Sequence, residues 1–213
     1  MRRVAKKYNI SECNAILEQI KHETKDAYAW ILSNDISHQP QYWAMSYSNV
    51  PRYRIITSNI AETFNSWIKD LRLKLIIGLF DGIRCKLIKL HNKCRERSMT
   101  WEFNLVPQAK RRLRKWMDKS RILSILNINE LIFEVKDDTK SRTEVTNLGD
   151  RQCTCGKWQH TLLPCTHAIR ACNFKGWDIY EYCFIQYNVQ TYFKFYGTPM
   201  EGIPHPYQLE TQS

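Results

Sequence analysis

The chain has 213 residues, of which 43% are hydrophobic, and this is enough apolar mass for a folded core. Its seven glycines and seven prolines exclude collagen-like and low-complexity sequences. The longest apolar runs, such as residues 75–77, are far too short for a membrane-spanning helix. The basic residues 1–7 are not followed by an apolar stretch, so we expect no secretory signal and a reducing compartment.

The positive charge is concentrated in one segment. The net charge is +11, from 32 basic and 21 acidic residues. Between Arg84 and Arg121 there are 13 basic and three acidic residues, whereas five basic and four acidic residues follow from Arg151 onward. This asymmetry favours a polyanionic partner, with nucleic acid first and an anionic membrane surface second. A solvated basic helix face that only keeps the protein soluble is the alternative.

Helical spacing of apolar residues dominates the first 120 residues. It predicts a helical stretch over residues 10–33 that residues 22–24 divide in two. It also predicts a helix that begins at about residue 59. Two further helices are predicted from about residue 76 to 97 and from Pro107, a good first-turn residue. The side chains expected to face inward are Ile60, Phe64, Trp67, Ile68 and Leu71 on the helix near residue 59, and Phe80, Ile83, Leu87, Leu90 and Cys94 on the next.

The pattern changes after about residue 128. Residues 131–135 and 142–146 are strand-like, and the polar turn between them predicts an antiparallel hairpin. We therefore predict an α+β fold, in which an N-terminal helical region is followed by a small β-hairpin and a metal-binding module. The predicted divisions are residues 1–127, residues 128–185 with a metal-binding core at 151–172, and a C-terminal tail at 186–213.

A cysteine–histidine motif follows the hairpin directly. Cys153, Cys155, Cys165 and His167 have the spacing C-x-C-x9-C-x-H, and Cys₃His is a standard ligand set for tetrahedral Zn²⁺. Ligands separated by one residue lie on the same side of an extended strand. Pro164 ends any preceding helix, so Cys165 and His167 fall in the first turn of the next one. Four protein ligands make a closed site, which indicates one structural zinc ion.

Other interpretations of these residues remain open from the sequence. The motif is alternatively a group of inert reduced thiols with a surface histidine. His160, Cys172 and Cys183 are competing ligands. Cys172 lies about two helical turns, or roughly 10 Å, beyond Cys165, which is too far for the same ion. His160 lies in the connecting loop and is the substitute ligand that spacing does not exclude.

The motif and its flanks resemble known families. The spacing resembles the SWIM-type zinc finger, and residues 153–159 with 163–168 resemble a block of plant Mutator-like transposases and of the related far-red-impaired-response transcription regulators. Residues 53–65 resemble an upstream block of the same families, although Leu75 departs from a common proline. The resemblance covers about residues 10–206. Its further matching positions are Tyr42, Trp43, Ala44, Arg72, Tyr192, Tyr196, Pro204 and Pro206.

The resemblance implies an origin in a DNA transposase with an RNase-H-like fold and a D-D-E carboxylate set that holds two divalent metals. Glu62 matches the third acid of that set, and residues 1–127 would be the remnant of the RNase-H-like region. The only aspartates before Glu62 are Asp26 and Asp35, in a predicted helix and a turn. The catalytic set is thus incomplete, and we expect no enzyme activity. Glu62 is alternatively the partner of Asn59 in a helix capping box.

A run of basic residues lies in the helix that is predicted from Pro107. Lys110, Arg111, Arg112, Arg114 and Lys115 are expected to bind DNA phosphates without sequence specificity, to direct nuclear import, or to form a solvated helix face. The sequence predicts a nuclear, DNA-associated zinc protein with no small-molecule substrate and no membrane partner. The alternative is a domesticated transcription regulator that acts through protein contacts of the finger. Aromatic side chains near the finger, expected to be mostly core, are Trp158, Phe174, Trp177, Tyr180, Tyr182 and Phe184.

Overall fold

The computed structural model describes residues 2–33, 35, 38–53, 59–102, 104–139, 142–200 and 202. Two compact units make up the chain, one from residues 1–59 and 107–185 and the other from residues 60–106 and 186–213. Residues 54–58 of the upstream block, and Pro204 and Pro206, lie outside the described residues. Within the described residues, no helix has both the length and the apolar character needed to cross a membrane.

The first unit begins with four short helices. They are α1 (Arg2–Ala5), α2 (Ile10–Glu23), α3 (Lys25–Ile31) and α4 (Pro40–Trp43). The predicted break at residues 22–24 is confirmed, because Thr24 takes an extended conformation with φ −150° and ψ 95°. The apolar residues that this helical segment buries together are Val4, Cys13, Ile16, Leu17, Ile31 and Ala44, of which Ala44 directly follows α4. The N-terminal segment therefore has a small core of its own.

A four-stranded antiparallel sheet follows in the same unit. Its strands, in spatial as well as chain order, are β1 (Ser124–Asn127), β2 (Ile132–Asp137), β3 (Arg142–Asn147) and β4 (Gln152–Cys153). Phe133 pairs with Thr146, which in turn pairs with Cys153. The α+β fold class is confirmed, but the sheet is larger than the predicted hairpin. Strand β1 was not predicted, because its side chains are mostly exposed and show little alternation.

Two helices pack on each other beside this sheet. Helix α7 (Pro107–Ser120) contacts helix α9 (Thr166–Lys175), and α9 also contacts strands β1, β2 and β3. The buried residues of α7 are Ala109, Leu113, Trp116 and Ser120, which lie on one side of the helix. Arg170 of α9 donates a hydrogen bond to the carbonyl of Leu123 at 2.8 Å. Helix α9 thus joins α7 to the sheet that carries β4.

The second unit contains helices α5 (Asn59–Trp67), α6 (Ile76–Met99) and α10 (Val189–Gly197), and α6 packs against α10. Gly82 on α6 accommodates Leu71, since a Cβ atom there would lie 2.6 Å from the Leu71 side chain. The prediction of inward-facing residues is only partly confirmed. Leu71 is buried, whereas Ile60, Phe64, Phe80 and Leu90 are exposed.

Candidate metal centre

Backbone pairing fixes the first two cysteines. Cys153 ends β4 and pairs with Thr146 of β3. The amide of Thr154 donates to the Val145 carbonyl at 2.9 Å, and the amide of Val145 donates to the Thr154 hydroxyl at 3.0 Å. Strand β4 ends at Cys153, and Thr154 and Cys155 lie in the turn that follows it. The expectation that the first two ligands share one side of an extended strand is therefore wrong, because Cys155 reaches the cluster from this turn.

A tight turn then redirects the chain. The Gly156 amide donates to the Cys153 carbonyl at 2.9 Å, and Gly156 has a φ of +71°. A Cβ atom at this position would lie 2.5 Å from the carbonyl oxygen of Tyr8, so only glycine fits. Helix α8 (Lys157–Thr161) follows at once, with Trp158 fully buried, and it ends at Leu162 with a φ of +57°. The second half of the motif thereby returns toward β4.

The other two ligands lie at the beginning of α9. Cys165 is the N-cap residue of this helix, and its sulfur accepts a hydrogen bond from the Ala168 amide at 3.5 Å. The Ile169 amide donates to the Cys165 carbonyl at 2.9 Å, which closes the first turn. His167 occupies the second helical position. The prediction that Cys165 and His167 fall at a helix start is confirmed.

The four ligand atoms converge. All of them lie within 4.8 Å of one another. The Nδ1 atom of His167 is 3.5 Å from the sulfur of Cys153 and 3.8 Å from that of Cys165. In a tetrahedral zinc site, bonds of about 2.3 Å to sulfur and about 2.0 Å to nitrogen place these atoms roughly 3.6 Å apart. The geometry therefore fits one Zn²⁺ ion, and Nδ1 is the histidine nitrogen that faces it.

The thiols of Cys153 and Cys165 differ in acidity. Hydrogen bonding with the Cys155 and Cys165 sulfurs, together with burial, raises the pKa of Cys153 well above its usual range. Burial alone would also raise the pKa of Cys165. Hydrogen bonds from the other two thiols and from backbone amides outweigh that effect and hold its pKa well below the usual range. Zn²⁺ binds thiolates, and these opposite directions favour ionisation of Cys165 before Cys153.

The competing ligands lie outside this cluster. His160 is buried, with its ring centre 5.9 Å from that of Tyr8. Burial raises the pKa of Cys172 and of Cys183 to about 12, and neither thiol belongs to the group whose ligand atoms converge. Among the residues that the structure describes, the Cys153, Cys155, Cys165 and His167 set is the one group of three or more that fits a metal, and Glu62 is not part of it.

The structure also places the predicted basic run and the aromatic residues. The run lies on α7, where Arg111, Arg114 and Lys115 are exposed while Lys110 and Arg112 are half-buried. The expectation that the aromatic residues form core is confirmed for Trp158. It is wrong for Phe174, Trp177 and Tyr180, which are exposed. The finger therefore has an aromatic surface as well as an aromatic interior.

Contacts between the N-terminal helices and the metal-binding loop could not be read from the motif. The Asn9 side chain accepts a hydrogen bond from the Ser11 amide at 2.7 Å and donates one to the Thr154 carbonyl at 3.0 Å. A chain of ion pairs and hydrogen bonds also connects α2 to β3 and Thr154. Its members are Lys7, Glu12, Arg142, Glu144 and Thr154. These residues are far apart in sequence and form no local pattern.

Comparison with known proteins identifies the kind of site. Residues 137–176 match the SWIM zinc finger family, and this range includes all four cluster residues. No curated protein and no solved structure matches the chain. The chain thus contains a SWIM zinc finger whose Cys153, Cys155, Cys165 and His167 cluster is suited to one zinc ion.

Proposed function

We propose that this protein is a nuclear, DNA-associated SWIM-finger protein derived from a Mutator-like transposase, and that its zinc is structural. The resemblance of residues 53–65 and of the finger's flanks to Mutator-like transposases supports this origin. The four ligands are all protein atoms, so the zinc site has no open position for water or substrate. The zinc therefore stabilises a fold that presents a binding surface elsewhere.

The observation that carries the proposal is the orientation of α7. Its apolar side, with Leu113 and Trp116 buried, belongs to a helix that packs on α9 of the finger. Its other side exposes Arg111, Arg114 and Lys115. A rigid helix face with several cations suits the regularly spaced phosphates of duplex DNA. Since phosphate contacts carry no sequence information, binding of this kind is non-specific.

Under this proposal, the chain does not cleave DNA strands. Glu62, the match to the third transposase carboxylate, is exposed in the first turn of α5. Two-metal phosphoryl chemistry requires several carboxylates that converge on ions about 4 Å apart. Asp26 lies in the first turn of α3, and Asp35 is 3.8 Å from the His38 ring nitrogen. Neither aspartate shares a metal-ligand group with Glu62 in the described residues.

The test is the salt dependence of duplex DNA binding, followed by fluorescence anisotropy. Replacing Arg111, Arg112, Arg114 and Lys115 together by Gln should weaken binding to all sequences alike and flatten the slope of log K against log salt by up to about 3.6. Replacement of Lys21, Lys25, Lys69 and Lys74 by Gln is a control of equal charge outside α7. An equal loss in both variants, or no binding by the unaltered protein, would contradict the proposal.

Zinc removal affects this experiment as well. Helix α9 begins at two cluster residues and supports α7, so loss of zinc should disturb the basic face together with the finger. Loss of DNA binding on chelation is therefore compatible with an interface on α7. A fluorescent fusion of the full chain should accumulate in the nucleus, and neutralisation of the α7 run should reduce this accumulation if the run also directs import.

A second candidate function is supported by the exposed aromatic residues of the finger. Phe174, Trp177 and Tyr180 are each more than a third exposed, and exposed aromatic side chains are enriched at protein interfaces. A domesticated transcription regulator would use such a surface to bind another protein. In that case, Phe174→Ser with Tyr180→Ser would abolish the regulatory effect in cells, whereas the α7 variant would retain it.

A further inference from the structure

A basic concavity lies where α7 meets the finger. It has a volume of about 600 Å³ and is lined by Tyr8, Lys115, Trp116, Asp118, Lys119 and Lys157. Lys115 and Lys119 are four residues apart on α7, so they project from the same side of the helix. Lys157 comes from the finger and is the first residue of α8. Three ammonium groups and one carboxylate thus surround the space.

The position of Lys157 depends on the zinc-binding loop. It follows Gly156, whose turn is fixed by the Cys153 carbonyl, and it is two residues beyond Cys155. Its ammonium group lies 3.6 Å from the centre of the Trp116 ring. Trp116 is only 7% exposed and is held within the α7 packing. An ammonium group over an aromatic face is attracted to the ring, and this contact helps to hold the Lys157 side chain in place.

We infer that this concavity binds a backbone phosphate of duplex DNA through Lys115, Lys119 and Lys157. The finger then contacts DNA directly, through a residue outside both the zinc ligands and the predicted basic run. The inference rests on the proposed DNA-binding function. A phosphate is favoured because lysine ammonium groups bind it as point charges from several directions. The concavity is also continuous with the α7 face through Lys115, so one strand backbone can contact both.

Asp118 provides an internal check on the sign of the ligand's charge. Its carboxylate lines the same concavity and is 3.8 Å from the Arg121 guanidinium, with both side chains largely exposed. A carboxylate in this position opposes an anionic ligand and would favour a cationic one. Removing its charge should therefore strengthen phosphate binding. Such a gain cannot result from misfolding.

The experiment measures binding of the full, zinc-loaded chain to a short fluorescein-labelled DNA duplex over a range of salt concentrations. Lys157→Gln should lower the slope of log K against log salt by about 0.9 and weaken binding about eightfold at roughly 0.1 M salt, as expected for one lost phosphate contact. Asp118→Asn should strengthen binding by about fivefold or less, as for an exposed ion pair.

The matched control is Lys175→Gln. Lys175 is also a lysine of the finger, and its ammonium group lies over the Phe133 ring at 5.7 Å, away from the concavity. Zinc content and thermal unfolding of each variant establish that the fold is intact. Equal effects of Lys157→Gln and Lys175→Gln would overturn the inference, as would weaker binding by Asp118→Asn.

Two outcomes separate this inference from the proposed function. If the unaltered protein binds DNA and the α7 variant does not, while Lys157→Gln behaves like the control, the phosphate site is wrong and the proposed function stands. If the unaltered protein does not bind DNA, both fail. Vesicles of phosphatidylserine and phosphatidylcholine provide the membrane comparison. Vesicle binding that is as tight as DNA binding and equally sensitive to Lys157→Gln would overturn the assignment to DNA.

Discussion

The carbonyl oxygen of Tyr8 lies against Gly156, so close that a side chain at Gly156 would begin 2.5 Å from it. Tyr8 directly precedes Asn9, the N-cap residue of α2, and Gly156 forms the turn after Cys155. The N-terminal helices therefore contact the metal-binding loop through its backbone. The loop's conformation depends on this contact as well as on zinc.

Gly156→Ala should destabilise the first unit by about 3 kcal/mol. A left-handed conformation costs a non-glycine residue about 1–2 kcal/mol, and the contact with the Tyr8 backbone adds a steric cost. Gly176→Ala is the control, because Gly176 also has a φ of +71° but has no atom near its would-be Cβ. Urea unfolding at a fixed zinc concentration gives both values. Equal losses in the two variants would contradict the Tyr8 contact.

Elemental analysis should find about one zinc per chain, and Cys155→Ser should lose most of it. A serine hydroxyl is a poor substitute for a thiolate, and three remaining ligands do not close a structural site. Cys183→Ala is the matched control, since Cys183 is a buried thiol outside the cluster. Chelation of the unaltered protein should unfold the finger. Full zinc retention by Cys155→Ser would show that the ligand set is wrong.

Stability should fall as the pH decreases through the titration of His160. Burial, and to a smaller extent the Arg52 guanidinium, lowers the pKa of His160 below its ordinary value of 6.5. The unfolded chain takes up this proton at a higher pH than the folded chain does. The free energy of unfolding therefore decreases as the pH falls below about 6.5. Below the folded-state pKa, His160 is protonated in both states and causes no further change.

The measurement is the urea midpoint from about pH 7.5 to pH 5.5, for the unaltered protein and for His160→Gln at equal zinc concentration. Protonation of the zinc ligands lowers stability in both proteins, so the difference between their curves isolates His160. The variant should show the shallower pH dependence. Parallel curves would mean that His160 does not titrate differently in the two states.

The purified chain should neither cleave nor join DNA in the presence of Mg²⁺ or Mn²⁺. A single exposed carboxylate such as Glu62 cannot hold the two metals of a transposase centre. The assay follows cleavage and strand transfer of a labelled terminal-repeat duplex, with Glu62→Gln alongside. Metal-dependent cleavage that the variant lacks would establish an enzyme, whereas equal activity in both preparations would indicate a contaminating nuclease.

Sequence patterns predicted the elements whose residues lie close together in the chain. Pro107, a good first-turn residue, predicted the start of α7, and the spacing of Cys153, Cys155, Cys165 and His167 predicted the metal cluster. Both are local features, because helix-start signals and ligand spacing act over a few residues. The short α8 was missed, since its five residues are held by the turn at Gly156 and by burial of Trp158.

Features that depend on distant partners were not predictable. Phe80 and Leu90 were assigned to a core because they follow the helical spacing of α6, yet both are exposed. Periodicity identifies an apolar side of a helix but does not show that another element covers it. The contact of Lys157 with Trp116 spans 41 positions and likewise leaves no local pattern.

The amide of Asn9 serves two elements at once. Its oxygen caps α2 through the Ser11 amide, and its nitrogen holds the Thr154 carbonyl between two zinc ligands. Serine, threonine and aspartate are all acceptable helix caps. None of them can reproduce the amide's combination of a capping acceptor and a separate NH₂ donor. Fewer residues are therefore acceptable at position 9 than helix capping alone would allow. An aspartate would still cap α2, but it could not donate the hydrogen bond to the Thr154 carbonyl in the metal-binding loop.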